Sequence, residues 1–67
     1  MDISARNQLK GKIKQVTSGD VMSEVVVVVG GQEVVALITK SSVERLGLKP
    51  GDAVVAIIKS TEVMIAK

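Results

Sequence analysis

Residues 25–38 read Val25-Val26-Val27-Val28-Val29-Gly30-Gly31-Gln32-Glu33-Val34-Val35-Ala36-Leu37-Ile38. Two apolar runs flank a glycine pair, which is the pattern of a β-hairpin. β-Branched side chains favour the pleated backbone, and glycine reaches positive φ without a steric penalty. The run Val25–Val29, preceded by Val21-Met22-Ser23-Glu24, is therefore the second of the chain's strands. It pairs antiparallel with a third strand over Glu33–Ile38. Val25–Val29 carries no polar alternation, so it needs cover on both faces.

The pattern extends in both directions from this hairpin. Upstream, Leu9–Val16 alternates, with Leu9, Gly11, Ile13 and Gln15 on one face and Lys10, Lys12, Lys14 and Val16 on the other, and predicts a half-buried first strand. Ser18-Gly19-Asp20 is the turn that follows it. Downstream the period changes. Ser41-Ser42-Val43-Glu44-Arg45-Leu46-Gly47 has a capping-box pair in Ser41 and Glu44, apolar residues three apart, and a glycine stop, predicting a short helix. Leu48-Lys49-Pro50-Gly51-Asp52 is a turn, Ala53–Ile58 a fourth strand, and Glu62–Ala66 a fifth. The expected fold class is all-β with one short helix: a five-stranded small barrel of the oligonucleotide/oligosaccharide-binding (OB) type, since closure hides the sheet edges.

With 67 residues, 46% of them hydrophobic, the chain has material for one core, so residues 1–67 are expected to form a single domain. A domain this small buries only about 60% of its unfolded surface. It has no Cys for a disulfide, and its second and fourth strands are apolar on both faces, so a homo-oligomer with apolar interfaces is expected. Absence of both Cys and His also excludes thiolate and imidazole metal ligands, Cys nucleophiles and every Ser-His arrangement. No acid and base pair is recognisable, so no enzyme is expected.

The net charge of +2 is too small to imply nucleic acid, and zero aromatic content removes the stacking platform of single-strand binders. No nucleic-acid partner is expected. Met1-Asp2-Ile3-Ser4 opens no apolar run, so neither a signal peptide nor a membrane partner is expected, and the cytoplasm is the expected compartment.

Polar residues outside the strand alternation gather in three places: Ser4-Ala5-Arg6-Asn7, Thr39-Lys40-Ser41-Ser42 and Lys59-Ser60-Thr61. Each lies at a strand end and combines hydroxyl or amide donors with a cation. Such a set suits a small tetrahedral dianion, which needs donors and balancing charge but no catalytic base. Each also has a plainer reading. Ser41 or Ser42 serves as a helix N-cap, Thr39 as a strand end, Ser4–Asn7 as a terminal arm, and Lys59–Thr61 as a turn. Lys10, Lys12 and Lys14 read as a solvated face.

Three segments taken together resemble the molbindin family, the small molybdate-binding Mop domains. They are Ile3-Ser4-Ala5-Arg6-Asn7-Gln8-Leu9-Lys10-Gly11, Ile38-Thr39-Lys40-Ser41-Ser42-Val43-Glu44-Arg45-Leu46 and Ile58-Lys59-Ser60-Thr61-Glu62-Val63-Met64. The resemblance implies a hexamer, built as a trimer of dimers, that holds molybdate or tungstate at subunit interfaces for storage and homeostasis. It also implies an oxyanion site of Ser4, Ala5, Arg6, Asn7, Lys59 and Ser60 from one subunit facing Thr39 and Ser42 of another. In that site Arg6 and Lys59 balance the charge, and the hydroxyls, with the amides around Ala5 and Asn7, donate to the oxygens. One segment departs from the family. Asp20-Val21-Met22 follows Gly19 near the family's second type of site, and Asp20 repels a dianion while Met22 offers no donor, so no second site is assigned.

Two other readings compete. Val43-Glu44-Arg45-Leu46-Gly47-Leu48-Lys49-Pro50-Gly51-Asp52 also looks like part of the swapped-hairpin DNA-binding regulators, but acidic residues are scattered through every segment. A purely structural assembly module, with the polar segments as caps, differs from the oxyanion reading only in its response to ligand.

Overall fold

Strands β2 (Met22–Val29) and β3 (Gln32–Thr39) pair antiparallel around Gly30 and Gly31, whose φ angles of 55° and 79° lie in the region that favours glycine. The structure, a computed structural model, describes residues 2–67. Strand β1 (Asn7–Ser18) is the longest element. Its first half, Asn7–Lys12, pairs with β4 (Ala53–Ile58), and its second half, Lys12–Ser18, pairs with β2. The result is a four-stranded antiparallel sheet in the order β3-β2-β1-β4, with helix α1 (Lys40–Leu46) between β3 and β4 in sequence. No helix among the described residues is long and apolar enough to cross a membrane.

The core is small and aliphatic. Ile13 from β1, Val25 and Val27 from β2 and Val43 from α1 are buried together, with Val16, Val29, Ala36, Ile38, Leu48 and Val54 packed around them. Val26, on the opposite parity of β2, is buried as well, so this central strand is covered on both faces. Helix α1 ends where Gly47 enters the left-handed region at φ 62°. Its N–H donates to the Glu44 carbonyl, and the Leu48 N–H to that of Val43, so the final turn is satisfied as Val43 enters the core.

Three expectations are corrected by the structure. The alternation in β1 does not run unbroken to Val16, because the register with β2 shifts between Ile13 and Gln15. This bulge at Lys14 turns Val16 inward and Gln15 outward. The segment Glu62–Ala66 is not a fifth strand. A single 3₁₀ turn, Ser60–Glu62, follows β4, and the last residues form no ladder, leaving Met64 92% and Ile65 90% exposed. The sheet consequently has four strands, with free edges on β3 and β4, and does not close into a barrel within one chain. The tail has the apolar composition of a strand, but a strand needs a partner that this chain does not supply.

Gly11 sits where β1 exchanges one partner for the other. A methyl group there would run into the Val28 carbonyl oxygen and come within 2.9 Å of Val27 Cγ1 and Val29 Cγ2. The obstacle is backbone, so it cannot swing aside as a long side chain would. Gly11→Ala is therefore expected to lower stability by about 1–3 kcal/mol, the usual range for overpacking. Urea unfolding checks this, and an unchanged midpoint would contradict it.

Candidate functional site

The Asn7↔Ile58 pair ends the β1–β4 ladder and brings the N-terminal segment against the residues that follow β4. There, Ser4, Ala5, Lys59, Ser60 and Thr61 line one cleft of about 430 Å³. Two side chains fix its walls. Asn7 Nδ2 donates to the Ile58 carbonyl at 3.2 Å, tying the two strand ends, and Gln8 Nε2 donates to the Ala5 carbonyl at 2.7 Å, folding the loop over β1. Arg6 is exposed beside this cleft. Among the described residues the one ion pair joins Lys14 to Glu33, so Arg6 and Lys59 have no carboxylate partner there.

Thr39 and Ser42 lie at the other end of the sheet, where Met22↔Thr39 and Ser18↔Ser23 end their ladders. A second cleft of about 420 Å³ is lined by Asp20, Val21, Thr39, Lys40, Ser41 and Glu44. The expected capping box of Ser41 and Glu44 does not form. The helix starts one residue earlier, and Thr39 is the N-cap, its Oγ1 accepting from the Ser42 backbone N–H at 3.1 Å. The Lys40 N–H reaches back to the Val21 carbonyl at 2.7 Å, which fixes the chain direction and leaves Thr39 at the cap.

The hydroxyls here are linked. Thr39 Oγ1 donates to Ser42 Oγ at 2.8 Å and lies 3.2 Å from Ser41 Oγ. A hydroxyl has a single proton, so with that of Thr39 committed to Ser42, Ser41 is the donor to Thr39 and the Ser42 proton is left to donate outward.

Within one chain, then, Ser4, Ala5, Arg6, Asn7, Lys59 and Ser60 are gathered at one end of the sheet, and Thr39 and Ser42 at the other. The two ends are separated by the length of β1. Its twelve residues run for about 40 Å of contour at ~3.3 Å per residue. No single copy unites the two groups. Two residues at this end lie outside the predicted site: Gln8, whose amide holds the Ala5 carbonyl, and Thr61, which lines the first cleft. Alternation marks Gln8 only as an outward strand residue, and nothing local distinguishes it. Asp20 and Glu44 in the second cleft were likewise not placed beside Thr39.

Loss of the cap hydroxyl in Thr39→Val is expected to cost about 1 kcal/mol of stability. Ser41→Ala, which removes an exposed hydroxyl that is not the cap, is expected to stay within ~0.5 kcal/mol of the parent. Chemical denaturation of the two variants separates them, and the reverse ranking would return the cap to Ser41.

A family model described as the TOBE domain matches residues 3–65. The chain is 53% identical over 66 residues to molybdenum-pterin-binding protein 3 of Clostridium pasteurianum, with 97% of each chain covered. Among solved structures it is similar to MopII from Clostridium pasteurianum, with a TM-score of 0.93 and 48% identity over 98% of this chain and 100% of that one. It is also similar to a molybdate-binding protein from Sporomusa ovata, with a TM-score of 0.95 and 45% identity, both chains covered completely.

Proposed function

The chain belongs to the TOBE-domain family, and within it to the Mop molbindins; from that premise we propose that it binds molybdate, or the equally charged tungstate, without catalysing a reaction. The binding site is shared between copies of the chain. One copy supplies Ser4, Ala5, Arg6, Asn7, Lys59 and Ser60, and another supplies Thr39 and Ser42. The observation that carries this reading is the division of suitable groups between opposite ends of one sheet, with Ser4, Lys59 and Ser60 lining a cleft at one end and Thr39 lining a cleft at the other. The first end has two cations without a carboxylate partner among the described residues, and the second has a hydroxyl proton free to donate.

The chemistry follows from the ligand. A tetrahedral dianion presents four oxygens, and charge-assisted hydrogen bonds to it are about twice as strong as neutral ones. Arg6 and Lys59 balance its charge, while Ser4, Ser60 and Ser42 donate. Thr39, whose proton is used within the cap, positions Ser42. Enclosure between copies removes water and strengthens each bond. Release of the ion needs no bond broken other than these, which suits storage and homeostasis. The assembly is a homo-oligomer, and on the family resemblance a hexamer built as a trimer of dimers. The cytoplasm suits an oxyanion buffer of this kind. The relatives favour this reading over a DNA-binding regulator.

Titration calorimetry with molybdate, and with sulfate as control, is expected to show saturable molybdate binding. Arg6→Ala and Lys59→Ala are each expected to weaken it tenfold or more, since a hydrogen bond to a charged group contributes about 1.5–3 kcal/mol. An anion that binds only the assembled form also stabilises it, by about 2.7 kcal/mol at a hundredfold excess over Kd. The melting temperature is therefore expected to rise with molybdate. Absence of both heat and thermal shift at millimolar molybdate would overturn the proposal.

A further inference from the structure

The segment before β1 carries Ser4 and Arg6, yet it belongs to no strand or helix. Among the described residues a single hydrogen bond reaches residues 2–6, the one that Gln8 Nε2 donates to the Ala5 carbonyl at 2.7 Å. Ile3, 48% exposed, shares a wall of the first cleft with Ala5 and Ile57. Gln8 stands opposite Ile57 in the β1–β4 ladder, so the two side chains occupy the same face of the sheet. The segment is thus an arm along the cleft, fastened near its middle by one side chain. Gln8 itself is not among the residues that line the cleft.

We propose that Gln8 is a positioning residue of the oxyanion site: by holding the Ala5 carbonyl it fixes the arm before the ligand arrives, and it thereby sets the cleft width that selects molybdate over sulfate. The proposal rests on the oxyanion reading above and adds to it a residue that touches no ligand.

One peptide plane is the pivot. Ala5 and Arg6 are joined by a planar unit whose C=O and N–H point in opposite directions. Holding the carbonyl fixes that plane, and with it the ψ of Ala5 and the φ of Arg6. Ser4 on one side and Arg6 on the other are therefore placed together. Without the bond the plane turns freely, because no ladder or helix constrains either residue. A bound anion would then have to order it, and the backbone freedom of one residue corresponds to about tenfold in affinity. Gln8 orders the arm in advance.

Selectivity follows from the same rigidity. Sulfate carries the charge of molybdate on a smaller frame. Ser4 and Ala5 stand on one side of the cleft and Lys59 and Ser60 on the other. Against walls held apart, the smaller ion reaches fewer donors, and donors left unpaired in an enclosed site are penalised. A free arm closes on the smaller ion and loses this discrimination.

Gln8→Met keeps the length of the side chain and removes the donor. Gln8→Glu keeps its shape and, at neutral pH, leaves acceptors only. The control is Gln15→Met, at an outward residue beyond the bulge whose amide bonds Thr17 Oγ1. The parent and the three variants are compared by hydrogen exchange of the peptide spanning residues 2–9, by urea unfolding, and by calorimetry with molybdate and with sulfate in competition against it. Both Gln8 variants are expected to keep the urea midpoint and to exchange the arm amides faster. They are also expected to bind molybdate about tenfold more weakly, with a narrower ratio of molybdate to sulfate affinity. Gln15→Met is expected to match the parent throughout. Unchanged molybdate affinity in Gln8→Met would overturn the proposal. So would a loss shared equally by molybdate and sulfate, which marks a merely structural role. A parent that binds no molybdate would overturn the oxyanion reading and this proposal with it, whereas a parent that binds beside unaltered Gln8 variants would overturn this proposal alone.

Discussion

Strand β1 is divided between two partners, and the rest of the molecule depends on that division. Its first half holds β4 and its second half holds β2, with the change of partner at Lys12 and the adjacent Gly11 pressed against β2. A side chain at Gly11 would force the strands apart at the point where they must be closest. The bulge at Lys14 then turns Val16 inward beside Ile13, so that both contribute to the core under α1. By spanning the whole sheet, β1 also keeps the two clefts at opposite ends. The separation of the two groups of candidate residues is thus a direct result of how β1 is paired.

The energetics point to assembly. Among the described residues five hydrophobic ones are buried, and the chain has no aromatic ring, which makes a modest core, and folded domains retain only a small surplus of burial over conformational entropy. Most of the exposed large apolar groups among the described residues fall in one region. Val35 and Leu37 on β3, Val55 and Ile57 on β4, and Val63, Met64 and Ile65 in the tail lie where the sheet stops short of closing, while Ile3, Val21, Met22 and Leu46 are exposed elsewhere. On the proposed shared site, joining copies would bury this surface and place donors and cations around one enclosed space. Fold stability and anion affinity would then draw on the same contact, and each would raise the other.

Much of this was legible in the sequence. The hairpin follows from the valine run and Gly30-Gly31, because few other structures accommodate uninterrupted β-branched residues around two glycines. The end of α1 is as clear, since Gly47 takes a conformation other residues avoid. Its start was not, because Thr39, Ser41 and Ser42 are all good caps and the choice depends on the distant Lys40 to Val21 hydrogen bond. The bulge was hidden by the lysines at 10, 12 and 14, which continue the alternation past the point where the backbone breaks it. The tail reads as a strand because its composition is that of one, but composition does not supply the neighbouring strand a ladder needs. The polar clusters were recognisable by residue type, whereas their distribution over two ends of the sheet is a property of the topology.

The central claim is that each oxyanion site takes one half from each of two copies. Complementation tests it most directly. One chain carries Arg6→Ala and Lys59→Ala, the other Thr39→Val and Ser42→Ala, and the two are assayed for molybdate binding separately and after being unfolded and refolded together. Each alone should fail to bind, and the mixture should recover about one site in four, the share in which random assortment of copies sets an intact half against an intact half. A mixture as inert as its parts, from variants shown to have co-assembled, would contradict a site shared between copies.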